Sequence, residues 1–201
     1  MAELSCDEAV SVLEPHRDRL WRCGALPYRD YKKTYPNQSV HRASTRAGIV
    51  RDLMVDRVRK EFEGVPGTRI IEPENVALTL LEIDERILLR CKKLTADKLT
   101  RNYPTTHARD YDRGRDLPEI PPAAQRMTLG YRVNRLQTDI RDVLITYAIG
   151  KEVIYSLVLD EPQQGIVVMP PPARGTPNTG ASGASRVRIR VSEYQPRLGD
   201  L

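Results

Sequence analysis

The sequence predicts an α+β protein: a mostly antiparallel sheet with one main amphipathic helix packed on one face, plus a short N-terminal helix. Three observations support this class: one clear run of helical periodicity, at least five alternating apolar segments after it, and short connections between most of those segments. Short connections favour antiparallel neighbours, because parallel strands need long crossovers. A length of 201 residues suits one domain with extensions.

The N-terminal region, 1–43, is predicted to be a helix followed by a basic arm. Ser5 and Glu8 have the spacing of a capping box, which indicates a helix start, and Pro15 should end or bend that helix. A further helical turn is expected over 17–23. Residues 27–42 are rich in Tyr, Lys, Pro and Asn without a period, so we expect a surface arm there.

The core domain is predicted to span 44–160. Its main helix should have Ser44 or Thr45 as its N-cap, carry apolar residues at helical spacing from Ala47 to Phe62, and end before Gly64. Alternating patterns then predict strands over 68–72, 76–82, 86–94, 127–133, 140–149 and 151–159. Residues 161–185 have the Pro, Gly and Ser content of a linker, and 186–201 are predicted to form an edge strand and a C-terminal tail.

A basic segment, 86–115, is the most distinctive part of the chain. It has nine Arg and Lys against three Asp, a net charge of +6, whereas the whole protein has +5. Alternation over 86–94 directs Ile87, Leu89 and Cys91 to the core and displays Arg90 and Lys92 on the other face.

Such a charge run is often only a solvated face that blocks edge pairing. Cations interleaved with Tyr also suit phosphate contact and stacking on unpaired bases. Tyr28, Tyr31, Lys32, Lys33 and Tyr35 repeat that composition in the predicted arm. The predicted binding residues for nucleic acid or a partner are Arg90, Lys92, Lys93, Lys98, Arg101, Tyr103, Arg109 and Arg113.

A catalytic alternative is a metal-independent ribonuclease. His107, Tyr103 and Arg101 supply a base, an acid and a cation for such a reaction. A metal-dependent nuclease is disfavoured, because the residue two before Lys92 is Arg90 and the residue two before Lys93 is Cys91, where a carboxylate is needed. No ligand spacing predicts a metal, and no glycine-rich motif predicts a nucleotide cofactor.

The remaining composition predicts a cytoplasmic protein. Cys6, Cys23 and Cys91 are odd in number and lack a C-x-x-C spacing, which is typical of reduced thiols. There is no signal-peptide pattern, and no apolar run reaches the roughly 18 residues that cross a bilayer. We therefore expect no membrane association.

The C-terminal tail, Gln195-Pro-Arg-Leu198-Gly-Asp-Leu201, resembles the peptides by which bacterial replication and repair proteins bind the DNA polymerase sliding clamp. The resemblance implies that Gln195, Leu198 and Leu201 bind the clamp. Gly199 departs from the pattern, because an aromatic or Leu anchor is usual there.

Three motifs carry a wider resemblance: Arg90-Cys-Lys-Lys93, the Thr-Arg-Asn-Tyr-Pro-Thr of 100–105, and Leu129-Gly-Tyr-Arg132. Together they resemble a family of uncharacterised bacterial proteins encoded on mobile elements, over about 44–159. The resemblance implies a toxin–antitoxin or phage-defence component and transfers no catalytic residue. The leading hypothesis is a toxin-like effector that binds nucleic acid or the replication machinery. The alternatives are the ribonuclease and a non-catalytic partner of an acidic antitoxin.

Overall fold

The structure is a computed structural model that describes residues 3–73, 78–101 and 124–162, with the backbone of 190–191. It is α+β, with a mostly antiparallel sheet and an N-terminal helix. The helices are α1 (Cys6–Leu13), α2 (Arg17–Thr34) and α3 (Ala43–Phe62), and short 3₁₀ turns cover Glu14–His16 and Gln38–Val40.

Helix α1 begins as the sequence predicts. The Ser5 hydroxyl accepts from the Glu8 N–H, and the Glu8 carboxylate accepts from the Ser5 N–H at 2.9 Å, so both halves of the capping box are formed. Pro15 lies in the 3₁₀ turn that joins α1 to α2, where the missing N–H removes no α-helical hydrogen bond.

Helix α2 corrects the prediction of a surface arm over 27–42. The helix continues to Thr34 with Pro27 inside it, and Tyr28 and Tyr31 are buried. Leu20, Gly24, Tyr28 and Tyr31 recur at helical spacing and form one buried stripe, and burial of that stripe offsets the cost of an internal proline. The first part of the predicted arm is therefore a helix that packs in the core, whereas residues 33–42 are mostly exposed, as expected for a surface segment.

Helix α3 packs beside α2 and starts at Ala43, two or three residues earlier than a helix with Ser44 or Thr45 as its N-cap. Val50, Met54, Val58 and Phe62 are its buried residues. Gly64 follows the helix with a φ of +66°, as expected for a residue just past a helix end.

The sheet has six strands and a two-residue seventh at its edge, in chain order. Every neighbouring pair is antiparallel except β3 and β4, which are parallel. The strands are β1 (Thr68–Ile71), β2 (Leu80–Ile83), β3 (Ile87–Lys93), β4 (Gln125–Val133), β5 (Ile140–Ile149), β6 (Glu152–Leu159) and β7 (Arg190–Val191).

One face of the sheet carries the main hydrophobic core. Alternate residues of β2 to β6 pack there with buried residues of all three helices in a single cluster. On that face β3 contributes Ile87, Leu89 and Cys91, the three residues that alternation assigned to the core. Helix α2 lies over β4, β5 and β6, and α3 over β3 and β1.

Candidate functional site

Arg90 lies on the opposite face of the sheet and is buried, with 6% of its surface exposed. The expectation of an outward cation at this position is wrong. Its Nε donates to Thr128 Oγ1 at 3.1 Å and its Nη2 donates to Thr100 Oγ1 at 3.2 Å. Because these hydrogen bonds hold the guanidinium inside the protein, we assign Arg90 a structural role.

A row of polar side chains crosses the sheet beside Arg90. Strand pairing aligns Arg90 with Thr128, Thr128 with Thr146, and Thr146 with Ser156. All four are buried. Thr146 Oγ1 has no hydrogen-bond partner among the described residues, and an unpaired buried hydroxyl lowers stability.

The turn after β3 lies over this polar row. It is closed by a bridge between Leu94 and Thr100, with Lys98 at a φ of +62°. Lys98 Nζ donates to Ser156 Oγ at 2.8 Å, so Lys98 is fixed against β6 rather than free for a partner. Burial lowers the pKa of Lys98, and Arg132 lowers it further.

A pocket of about 240 Å³ opens beside Lys92, where β3 extends past the start of β2. Apolar and charged residues both line it, and Glu72 there is already bound to Arg59 and Thr79. Lys92 is half-buried in this wall. The lining residues are Arg51, Val55, Glu72, Leu78, Thr79, Arg90, Cys91 and Lys92.

Three cations lie near enough for their charges to interact, close to the end of β3, where Leu94 is bridged to Thr100, and to the start of α3. We call Arg46, Lys93 and Arg101 the cation cluster. Lys93 is half-buried, and its pKa is lowered by burial and then by the nearby charges of Arg46 and Arg101. None of the ion pairs within the described ranges includes a member of this cluster.

Arg46 is held in place by neutral groups. Its Nη1 donates to the Gln38 carbonyl at 3.1 Å and to the His41 carbonyl at 3.4 Å, and its Nη2 donates to Gln137 Oε1 at 2.7 Å. Carbonyl oxygens orient a guanidinium without cancelling its charge. Arg46 is therefore held in a defined position by neutral acceptors and not by a carboxylate of the described residues.

Aromatic rings of α2 and of the connection from α2 to α3 lie around Gln137 and His41, the residues that also bind Arg46. Tyr31 Oη and His41 Nδ1 are 2.9 Å apart, and Tyr28 Oη donates to the Gln137 carbonyl at 2.6 Å. Tyr28 and Tyr31 are buried, whereas 40% of Tyr35 is exposed. Of the three tyrosines that the sequence indicated here, only Tyr35 can meet a partner.

The structure brings together only part of the predicted site. Lys93 and the exposed Arg101 lie in the cation cluster, whereas Arg90, Lys92 and Lys98 lie on other surfaces or are buried. Arg46 was missed, although the absence of Asp and Glu from the first turn of α3 was a usable signal. Outside the described residues lie Tyr103, His107, Arg109, Arg113, Gln195, Leu198 and Leu201.

The described ranges contain neither a cluster of metal ligands nor a membrane-spanning helix. No group of three or more His, Cys, Asp or Glu side chains there is placed to hold a metal ion. No helix in the same ranges has the length and apolar character needed to span a bilayer.

Comparison with protein families, with curated proteins and with solved structures found no match to this chain.

Proposed function

We propose that the protein binds nucleic acid through the cation cluster of Arg46, Lys93 and Arg101. The observation that carries this proposal is the half-buried position of Lys93, whose pKa is lowered by burial and then by the charges of Arg46 and Arg101, without an ion pair to any of the three within the described chain. Like charges at close range destabilise one another. A phosphate between them would convert that repulsion into attraction.

The start of α3 strengthens the same surface. No acidic residue lies in its first turn, and no side chain caps its N-terminus. The N-terminal N–H groups of a helix carry partial positive charge and bind phosphate oxygens. In this proposal α3 is the amphipathic helix that packs its apolar stripe on the sheet, which directs its first turn toward the ligand.

A second candidate is an acidic protein partner, such as an antitoxin, on the same surface. Val40 is 72% exposed and Leu136 is 80% exposed. Each lies in a loop that holds Arg46, through Gln38 and Gln137 respectively. Exposed apolar side chains beside cations suit a protein interface.

The broader effector role stays a prediction from the sequence. It includes the toxin-like activity, the sliding-clamp tail and the ribonuclease alternative with His107.

The test compares two exposed cations at opposite ends of the sheet. Arg101 belongs to the cation cluster, whereas Lys151 lies in the turn between β5 and β6. Arg101→Glu, Lys93→Gln and the control Lys151→Glu would be titrated with a labelled oligonucleotide of about 16 nucleotides. Fluorescence anisotropy would be followed between about 50 and about 200 mM salt.

We expect Arg101→Glu and Lys93→Gln to weaken binding. The slope of log affinity against log salt concentration should fall by about one for each phosphate that the variant no longer neutralises. Lys151→Glu should bind about as tightly as the parent. Equal weakening in all three variants would show only nonspecific attraction to net charge and would overturn the proposal. Capture of an acidic protein that Arg101→Glu abolishes, with no binding to oligonucleotides, would establish the second candidate instead.

A further inference from the structure

Tyr35 differs from the other exposed apolar side chains of the described chain. The large hydrophobic residues exposed there are Tyr35, Val40, Leu136, Ile149 and Ile154, and only Tyr35 is aromatic. It caps the C-terminus of α2, and its N–H donates to the Tyr31 carbonyl at 2.9 Å. Its backbone is therefore tied to the helix while its ring meets solvent.

The Tyr35 ring is braced by two neighbours. His41 meets it edge-on with ring centroids 4.8 Å apart, and Tyr31 lies tilted at 5.3 Å. Tyr31 is fully buried and linked to His41 by the 2.9 Å hydrogen bond, so both supports are fixed to the core. A ring held in this way loses little conformational freedom when a ligand stacks on it.

Contacts through His41 join this ring to Arg46 of the cation cluster. His41 packs against Tyr35, its carbonyl accepts from Arg46, and Arg46 lies close enough to Lys93 to lower its pKa. Lys33, which is exposed, lies two residues before Tyr35 in the last turn of α2. The exposed aromatic ring and the charged Arg46 are thus linked through one residue, His41.

We infer that the ligand of this surface is a single-stranded nucleic acid and that Tyr35 stacks on one of its unpaired bases. The inference rests on the proposed function, because the cations must hold the backbone. Stacking on an aromatic side chain needs a base with a free face. The bases of a duplex are already stacked on each other, so a duplex could use the cations alone.

The experiment measures the full chain against a labelled single strand of about 16 nucleotides and against the same strand annealed to its complement. Tyr35→Ala removes the ring and Tyr35→Trp keeps a stacking face. Ile149→Ala is the matched control, because Ile149 is similarly exposed (47%) and is the last residue of β5, away from the cation cluster. Arg101→Glu reports on the electrostatic contact separately.

We expect Tyr35→Ala to weaken single-strand binding about tenfold or more and to change duplex binding less than about twofold, with Tyr35→Trp and Ile149→Ala near the parent. If Tyr35→Ala leaves single-strand affinity unchanged while Arg101→Glu still reduces it, the stacking inference fails and the proposed function stands. Equal weakening for both ligands would also overturn the inference. Binding of neither ligand would overturn both.

Discussion

Thr146 and Thr128 allow a sharp test of the polar row, because the two residues are paired across β4 and β5 and differ in one respect. Both are buried, with 3% and 6% of their surfaces exposed. The Thr128 hydroxyl accepts from Arg90, whereas the Thr146 hydroxyl has no partner within the described ranges. The same substitution should therefore have opposite effects at the two positions.

Valine replaces the hydroxyl of threonine by a methyl group and keeps the branched shape that strands prefer. A buried hydroxyl without a partner costs about 1 to 3 kcal/mol, so Thr146→Val should stabilise the fold by about 1 kcal/mol. Thr128→Val removes an acceptor from a buried guanidinium. A hydrogen bond to a charged group is worth about 1.5 to 3 kcal/mol, so this variant should be destabilised by about that amount.

The assay is chemical denaturation followed by circular dichroism, with thermal melts in parallel. For a chain of this length, 1 kcal/mol shifts the Tm by about 2 to 4 °C. If Thr146→Val is less stable than the parent while the slope of its unfolding free energy against denaturant concentration is unchanged, the Thr146 hydroxyl has a partner. That result would refute the claim that the hydroxyl is unpaired. An unchanged Thr128→Val would refute the role assigned to the Arg90 contact.

Two further predictions concern the helices. Gly48→Ala should stabilise the protein by about 0.5 to 1 kcal/mol, because a Cβ at this position in α3 meets open space. Gly24→Ala should destabilise the protein, because a Cβ there would overlap Val143. Thermal melts of the two variants and the parent measure the direction of each change in stability. His16 is half-buried, its ring centroid is 5.7 Å from that of Phe62, and burial lowers its pKa below the usual value of about 6.5. The unfolded chain then takes up the proton first, so stability should fall as the pH drops below about 6.5, and His16→Asn should lose less stability than the parent over that interval.

Local chemistry explains why much of the fold could be predicted. The capping box at Ser5 depends on four consecutive residues, and the strands over 140–149 and 152–159 depend on alternation and a tight turn. Because these signals depend on residues close together in the sequence, tertiary contacts did not change the secondary structure that they predict.

The failures have a different origin. The full length of α2 was not predicted, because Pro27 disfavours a helix locally. The burial of Tyr28 and Tyr31 offsets the cost of that proline, and burial depends on tertiary contacts that the local sequence does not show. Alternation placed Arg90 on the correct face of β3, but the exposure of that face depends on the turn after Leu94, which folds back over it. The cation cluster depends on the influence of Arg46 on Lys93 from a distant part of the chain, which periodicity does not report.

The parallel pairing of β3 with β4 has a consequence for the order of folding. It joins two antiparallel ladders, β1 to β3 and β4 to β6, which are separated along the chain by residues 94–124. Each ladder can form from contacts between strands that are neighbours in sequence. Pairing β3 with β4 also closes the long intervening segment into a loop, which costs conformational entropy. We therefore expect the hydrogen bond from Arg90 to Thr128, which crosses that union, to form late and to report on the docking of two preformed halves.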